Sequence, residues 1–195
     1  MSDGGLYDNE KQTFEYRIVF AGDPGVGKSS IIYQLVEHKF YEELPSTIPD
    51  TQSITIEENN TVYVYNLNDT AGQEIYRTIT SSYYRACNVV FLVYAQDDEE
   101  SFNSLDGFIE DINEYTKGSK PIIYLLGNKS DLDQNVTVDK AQKYANGKKI
   151  VFKQISAKTG EGIQEAFKEV QEQLKGGKGK KPVKKDPSGK KCILL

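Results

Sequence analysis

The chain has 195 residues, of which 37% are hydrophobic and 27% charged, proportions that are typical of a folded globular protein and exclude a largely disordered one. It carries a net charge of −5, and no run of residues approaches the ~18 consecutive apolar positions that a membrane-spanning helix needs. Its two cysteines, Cys87 and Cys192, are too far apart for a disulfide framework, and its single histidine, His38, makes a zinc site implausible.

Apolar runs alternate with amphipathic segments along the chain. In chain order the predicted elements are strand Phe14–Ala21, helix Lys28–Glu37, strands Thr51–Glu57 and Val62–Leu67, helix Ile75–Arg85, strand Val89–Ala95, helix Ser101–Tyr115 with Ser101 as N-cap, strand Pro121–Leu126, helix Thr137–Ala145, strand Ile150–Ile155 and helix Ile163–Leu174. This order predicts an α/β fold: a six-stranded, mostly parallel sheet with helices on both faces and one antiparallel hairpin partner. We expect a loose leader over residues 1–13, one domain over 14–174 and a disordered tail over 175–195.

The segment between the first strand and the first helix is the most informative in the chain. It reads Gly22-Asp23-Pro24-Gly25-Val26-Gly27-Lys28-Ser29, which is G-x-x-x-x-G-K-S. Glycines let successive backbone N–H groups surround a polyphosphate, and the N-terminus of the following helix adds positive potential. In such a loop Lys28 reaches the β- and γ-phosphates and Ser29 holds Mg²⁺. The alternative is a glycine-rich turn that binds nothing, which the flanking strand and helix disfavour.

A second polar segment, Asp69-Thr70-Ala71-Gly72-Gln73-Glu74, follows the second hairpin strand. An acid such as Asp69 at a strand end can hold the hydration shell of Mg²⁺. Gly72 lets a backbone N–H approach a γ-phosphate, and Gln73 can orient the attacking water. In isolation this is a polar turn, but behind a phosphate loop it predicts a γ-phosphate sensor.

Two further segments at strand ends select the base. In Asn128-Lys129-Ser130-Asp131, a carboxylate in a dry pocket accepts hydrogen bonds from N1–H and the amino group of guanine, a donor pair that adenine lacks. The stem of Lys129 can lie along the base. The segment Ser156-Ala157-Lys158 supplies a backbone N–H for the guanine O6. Together they favour GTP and GDP over ATP, although a P-loop kinase or ATPase remains an alternative.

These motifs together resemble the small GTPases of the Ras superfamily, and Asp69–Arg85 resembles the Rab branch most closely, with the similarity covering about residues 14–174. The resemblance implies that Phe40 stacks on the guanine edge and that Thr47 ligates Mg²⁺ and contacts the γ-phosphate. The implied nucleotide-binding set is Gly22, Pro24, Gly25, Val26, Gly27, Lys28, Ser29, Ser30, Phe40, Thr47, Gly72, Asn128, Lys129, Asp131, Ser156, Ala157 and Lys158. The implied metal ligands are Ser29, Thr47 and Asp69, and the implied catalytic residues are Gln73 and Lys28.

The chain departs from the Rab pattern at several positions. Gln52 stands where an aromatic residue is usual, and Asn68 stands where tryptophan precedes D-T-A-G. Of the aromatic trio that Rab effectors pack against, Tyr83 remains. Pro24 replaces the small residue that is usual in the phosphate loop, and it lacks a backbone N–H. These departures call ordinary effector binding into question and allow the rate of GTP hydrolysis to differ from that of relatives.

The resemblance implies a monomeric GTP/GDP switch that hydrolyses GTP, with switch segments at about 41–52 and 70–84. It also implies a GTPase-activating protein, a guanine nucleotide exchange factor, effectors that bind the switch segments, and a dissociation inhibitor or prenyl-binding chaperone. The alternatives are a nucleotide-dependent binding module with little GTPase activity, and a Ras- or Rho-type signalling switch rather than a vesicle-trafficking Rab.

The tail has a charge opposite to that of the body. From Lys175 onward eight lysines accompany one acid, Asp186, so the tail carries +7 and the preceding residues −12, a balance that argues against nucleic-acid binding. The last four residues, Cys192-Ile193-Leu194-Leu195, form a C-a-a-X signal whose final leucine favours geranylgeranylation. A lipid and a polybasic segment together predict attachment to the cytosolic face of a membrane.

Overall fold

The computed structural model describes residues 11–44, 51–70, 82–116 and 120–177, together with the backbone of 183–185 and 191–192. The strands are β1 Gln12–Ala21, β2 Thr51–Glu58, β3 Thr61–Asp69, β4 Val89–Ala95, β5 Ile122–Asn128, β6 Val151–Gln154, β7 Val183–Lys185 and β8 Lys191–Cys192. The helices of more than one turn are α1 Lys28–Glu37, α2 Glu99–Asn103, α3 Leu105–Tyr115, α4 Val138–Lys148 and α5 Ile163–Lys175.

The first six strands form one sheet in the order β2-β3-β1-β4-β5-β6. The pairs from β3 to β6 are parallel, and β2 joins β3 as the antiparallel partner of a hairpin. The predicted mixed six-stranded sheet is therefore confirmed. Because the parallel strands share one direction, their carboxyl ends lie along the same edge, where ligands of open α/β sheets bind.

Side chains alternate between the two faces of the sheet, and each face has its own apolar core. In β1, Ile18 and Phe20 pack on the face covered by α1 and α5, whereas Val19 and Ala21 pack on the face covered by α3 and α4. Helices on both faces explain why β4 is buried along its whole length. Cys87 is fully buried in the second cluster.

The predicted helix Ser101–Tyr115 differs from the structure at its start. Asp98 is the N-cap, because its carboxylate accepts from the backbone N–H groups of Glu100 and Ser101 at 3.0 and 3.3 Å. Ser101 lies inside α2 instead, buried, and its hydroxyl donates to the Asp98 carbonyl at 2.8 Å. The prediction of Ser101 as N-cap is therefore wrong, and the acidic residue three positions earlier takes that role.

Of the predicted helix 75–85, residues 82–84 are helical and 75–81 lie outside the described residues. The other predicted elements are confirmed within a few residues at each end. Across the described ranges, no helix is both long enough and apolar enough to cross a bilayer.

Two short strands extend the sheet beyond the six that the sequence predicts. The ladder between β1 and β4 begins at Ile18, and on the same side of β1 the earlier residues Thr13–Glu15 pair with β7 in antiparallel register, with Thr13 opposite Lys185. The strand β8 pairs in turn with β7. The open strand edge of β1 offers hydrogen-bond partners to the backbone of β7, as β7 does to β8, and the disorder expected of the tail as a whole stays a prediction.

The C-terminal end of α5 contacts the turn of the β2–β3 hairpin. Lys175 forms an ion pair with Glu58, and its ammonium lies 4.9 Å from the centre of the Tyr63 ring. Tyr65, further along β3, packs edge-on against Phe167 of the same helix. The hairpin and the last helix are thus joined along their length by aromatic packing and at the end by one charged contact.

Candidate functional site

The phosphate loop connects β1 to α1 at the carboxyl edge of the sheet. Gly22 has φ 142° and Gly27 has φ 96°, both in the region that disfavours side chains. A Cβ on Gly22 would lie 2.1 Å from the Val93 carbonyl oxygen, and a Cβ on Gly27 would lie 2.3 Å from Asn128 Nδ2. Both positions therefore need glycine for backbone conformation and for space. Pro24 lies on the exposed outer side of the loop.

Lys28 is the first residue of α1 and is buried. Its Nζ donates to the carbonyl oxygens of Gly22 and Asp23, each at 2.8 Å, so the ammonium crosses the mouth of the loop. An ammonium held there by neutral carbonyls can exchange them for phosphate oxygens, because charge-assisted hydrogen bonds are stronger than neutral ones. This placement agrees with the predicted role of Lys28.

Ser29 and Asp69 lie beside each other although 40 positions separate them. The Ser29 hydroxyl donates to Asp69 Oδ2, and both side chains are buried. A hydroxyl and a carboxylate are the hard oxygen ligands that Mg²⁺ prefers, so the two predicted ligands fit a Mg²⁺ ion. Within the described part of the chain, no group of three or more His, Cys, Asp or Glu side chains could hold a metal. Mg²⁺ here would therefore rely on few protein ligands and on substrate phosphates.

Asn128, at the end of β5, connects the phosphate loop to the loop after β6. It is 1% exposed, its Nδ2 donates to Val26 O at 2.8 Å, and its Oδ1 accepts from Ala157 N–H at 2.9 Å. Ala157 N–H is the group that the sequence interpretation assigns to the guanine O6. In the structure that donor is already engaged by Asn128, so O6 would have to share it.

Asp131 and Ser156 hold the two base-selective loops together. The Ser156 hydroxyl donates to Asp131 Oδ1 at 2.5 Å and also accepts from Thr159 N–H at 3.1 Å. A carboxylate has about four lone-pair sites, so the bond to Ser156 leaves capacity for two donors of a base. Asp131 therefore keeps the capacity that its predicted role requires, and that role stays a prediction; the Ser156 hydroxyl holds one of its carboxylate oxygens in place.

Lys129 has a left-handed backbone, with φ 64°, which is uncommon for a residue with a long side chain. Its ammonium lies 3.4 Å from Asp97 Oδ1, and Asp97 is at the carboxyl end of the neighbouring strand. The ion pair directs the lysine stem along the side of the cavity. Asp97 was not among the predicted site residues, because nothing in its sequence context distinguishes it from the acidic residues that follow.

The predicted base-binding residues, except the fully buried Ser156, line one cavity of about 290 Å³. Its lining residues are Gly25, Gly27, Ser30, Phe40, Asn128, Lys129, Asp131, Leu132, Ala157 and Lys158. Leu132 is the lining residue that the sequence prediction missed, although its position directly after N-K-S-D is a signal that could have identified it. A half-exposed leucine and Phe40 at the mouth give the cavity two apolar surfaces that suit the faces of a flat base.

Several predicted residues cannot be placed in this way. Thr47, Gly72 and Gln73 lie outside the described residues, and only the backbone of Cys192 is described.

Asn68, which stands where Rab proteins have tryptophan, is buried, and its Nδ2 donates to Ile18 O at 3.1 Å. The Asn68 side chain is therefore hydrogen-bonded to the backbone of β1 within the sheet.

Comparison with known proteins identifies the family. The model of the Ras family matches residues 17–176, which is most of the chain. The chain belongs to the Ras family. This small GTPase is 32% identical over 191 residues to GTP-binding protein YPT52 of Saccharomyces cerevisiae, a match that covers 82% of each chain.

Relatives with Rab names extend the match. Ras-related protein Rab-18 of Lymnaea stagnalis is 37% identical over 162 residues, covering 81% of this GTPase and 79% of the relative. Ras-related protein RABD2a of Arabidopsis thaliana is 35% identical over 162 residues, covering 82% and 79%. The predicted resemblance to the Rab branch is thereby confirmed. The chain is a GTP-binding protein that hydrolyses GTP, as members of this family do, and the kinase or ATPase alternative is set aside.

Proposed function

We propose that this GTPase is a membrane-attached switch in vesicle trafficking. Its GTP form would hold the segments at about 41–52 and 70–84 in one conformation, which relaxes after hydrolysis. The observation that carries the nucleotide-binding part of the proposal is the cavity at which the phosphate loop, the N-K-S-D loop and the S-A-K loop meet. A site of this composition binds a purine nucleotide at both its phosphate and its base end.

The hydrolytic mechanism we propose relies on positioning. Lys28 would bind the β- and γ-phosphates, and Gln73 would orient the attacking water. Ser29, Asp69 and Thr47 would hold Mg²⁺, which when bound neutralises charge that develops on the phosphates. The sequence offers no evident arginine finger, so a GTPase-activating protein would raise turnover by roughly 10³ or more.

The proposed partners follow from the switch role. Family members generally act with activating proteins, exchange factors and effectors, and we expect the same three classes here. Gln52 and Asn68 stand where Rab proteins have two of the aromatic residues that effectors pack against. Asn68 is buried, and the third aromatic residue, Tyr83, is retained and half-buried. We therefore expect an effector set that differs from that of an ordinary Rab.

Nucleotide assays test the central proposal. GTP labelled at the γ-phosphate should bind with Mg²⁺, resist competition by a hundredfold excess of ATP, and release phosphate in a single turnover. Displacement by ATP would contradict the guanine assignment. Phosphate release too slow to detect, even with added cell extract, would contradict the switch and would point instead to Pro24 as the residue that impairs hydrolysis.

We further propose that Cys192 is geranylgeranylated and that the tail lysines add electrostatic attraction to an anionic leaflet. Each lysine near the surface contributes about 1 kcal/mol, less when screened by salt. A Cys192→Ser variant should remain cytosolic in cell fractionation, and a Cys87→Ser variant is the matched control, because Cys87 is buried. Membrane association that persists in the Cys192→Ser variant would refute the lipid anchor.

A further inference from the structure

Gln96 lies at the carboxyl end of β4 and is fully buried. Its backbone N–H donates to Asn128 O at 2.9 Å, and its carbonyl oxygen accepts from the N–H groups of Asn135 and Val136 at 2.8 and 3.0 Å. The backbone of this one residue therefore holds both ends of the loop that carries the N-K-S-D segment.

The side chain of Gln96 makes two further contacts. Its Nε2 donates to Gly127 O at 2.8 Å, and its Oε1 accepts from Gln154 Nε2 at 3.0 Å. A carbonyl oxygen cannot donate, so Nε2 must face Gly127, and this fixes the orientation of the amide. Buried hydrogen bonds of this kind are stronger and more directional than those in water.

The sheet register shows what the amide joins. Tyr94, Gly127 and Gln154 lie opposite one another on β4, β5 and β6, so the Gln96 side chain bridges β4 to β6 across β5. Gly127 has no side chain, and a Cβ there would lie 2.7 Å from Tyr94 Oη. Burial raises the pKa of Tyr94 above its ordinary value.

We propose that Gln96 is a positioning residue for guanine recognition. The base is read from two loops: one follows β5 and carries Asp131, and the other follows β6 and carries Ser156 and Ala157. An apolar side chain would fill the same space but would not fix the separation of these strand ends. The inference rests on the proposed guanine nucleotide site. It adds the residue that holds the loop after β5 and the loop after β6 at a fixed separation.

A dissociation assay tests this role. In a Gln96→Met variant the side chain keeps its length and buried volume but loses the amide. We expect fluorescent GDP to leave about 5- to 10-fold faster, which is the loss of one to two net hydrogen bonds. Release of fluorescent IDP, whose base lacks the 2-amino group, should accelerate less, because IDP depends less on the placement of Asp131.

Two further variants support the interpretation. Gln154→Ala removes one partner of the amide from an exposed position and should accelerate GDP release in the same direction, by a smaller factor. Gln142→Met, on the exposed side of α4, is the matched control and should release GDP at the unsubstituted rate. Chelation of Mg²⁺ should accelerate release by the same factor in every variant, because the phosphate end is untouched.

GDP release from Gln96→Met within twofold of the unsubstituted rate would overturn the inference. Equal acceleration of GDP and IDP, with an altered response to Mg²⁺ chelation, would also overturn it, since this would indicate general loosening of the domain. Failure of the unsubstituted protein to retain GDP would instead overturn the nucleotide site itself, and the two failures are therefore distinguishable.

Discussion

Replacement of Asn128 by alanine is the sharpest test of how the site is assembled. The side chain makes two buried hydrogen bonds, to Val26 O at 2.8 Å and from Ala157 N–H at 2.9 Å. Each bond contributes a net ~0.5–1.5 kcal/mol, and a buried group left without a partner costs ~1–3 kcal/mol. The Asn128→Ala change leaves two buried groups without a partner, Val26 O and Ala157 N–H, and their combined cost is therefore ~2–6 kcal/mol. The share of this loss that falls on the nucleotide-bound state lowers the affinity, and a share of about 3 kcal/mol corresponds to roughly a 100-fold weaker affinity for GDP.

The assay is the dissociation constant for fluorescent GDP at fixed Mg²⁺, measured from association and dissociation rates. Most of the change should appear as faster release, because mutations within one site act mainly on dissociation. An Asn128→Asp variant separates the two bonds. Its carboxylate still accepts from Ala157 N–H but faces the Val26 carbonyl without a donor, so its affinity should also fall.

The matched control is Asn146→Ala on α4, where the asparagine is exposed and accepts from Gln142 at 3.0 Å. Its GDP affinity should equal that of the unsubstituted protein. An Asn128→Ala variant that binds GDP within threefold of the unsubstituted protein would refute the reasoning, because it would show that neither bond supports the bound state.

Three other changes give separate expectations. Asp131→Asn should shift preference from GTP towards XTP, because an amide donor now meets the 2-oxo group of xanthine; unchanged GTP affinity would remove Asp131 as the base reader. Gln73→Leu should slow single-turnover hydrolysis while GTP affinity stays within about twofold, and an unaltered rate would exclude Gln73 from the mechanism. The hydrogen bond from Lys148, and to a smaller extent the one from Tyr144, lowers the pKa of Asp106. The ionised carboxylate therefore stabilises the folded state above the unfolded pKa of about 4, and this stabilisation is lost as the pH falls through the folded pKa. Asp106→Asn should therefore lower stability in urea by under ~1 kcal/mol at pH 7 and by less at pH 3, whereas an equal loss at both would contradict the assignment.

The sequence predicts the fold and the site unequally, for physical reasons. The phosphate loop and the N-K-S-D and S-A-K segments are local patterns, so their chemistry and their place at strand ends are readable without a structure. Asp69 meets Ser29 because parallel strands end at a common edge, which is also predictable.

Contacts between distant segments are not readable in this way. Gln96 in sequence is a polar residue beside several acids, and only the strand register reveals that it spans β4 to β6. The engagement of Ala157 N–H by Asn128 likewise depends on how two loops approach in space. Ser101 was misassigned because both Asp98 and Ser101 suit an N-cap, and tertiary burial of Ser101 decided between them.

Because Lys175 contacts Glu58 and Tyr63, the β2–β3 hairpin is attached to the C-terminal end of α5 near the hairpin turn. One end of the hairpin, at Thr51 and Asp69, borders both proposed switch segments. The other end, about 25 Å away for an eight-residue strand, contacts Lys175, which is the last residue of α5 and the first of the tail. An exposed ion pair of this kind contributes no more than about 1 kcal/mol to stability, so this contact between α5 and the hairpin is weak. The start of the tail therefore contacts the β2–β3 hairpin, which lies between the two proposed switch segments. The contact is at the end of the hairpin farthest from the nucleotide site.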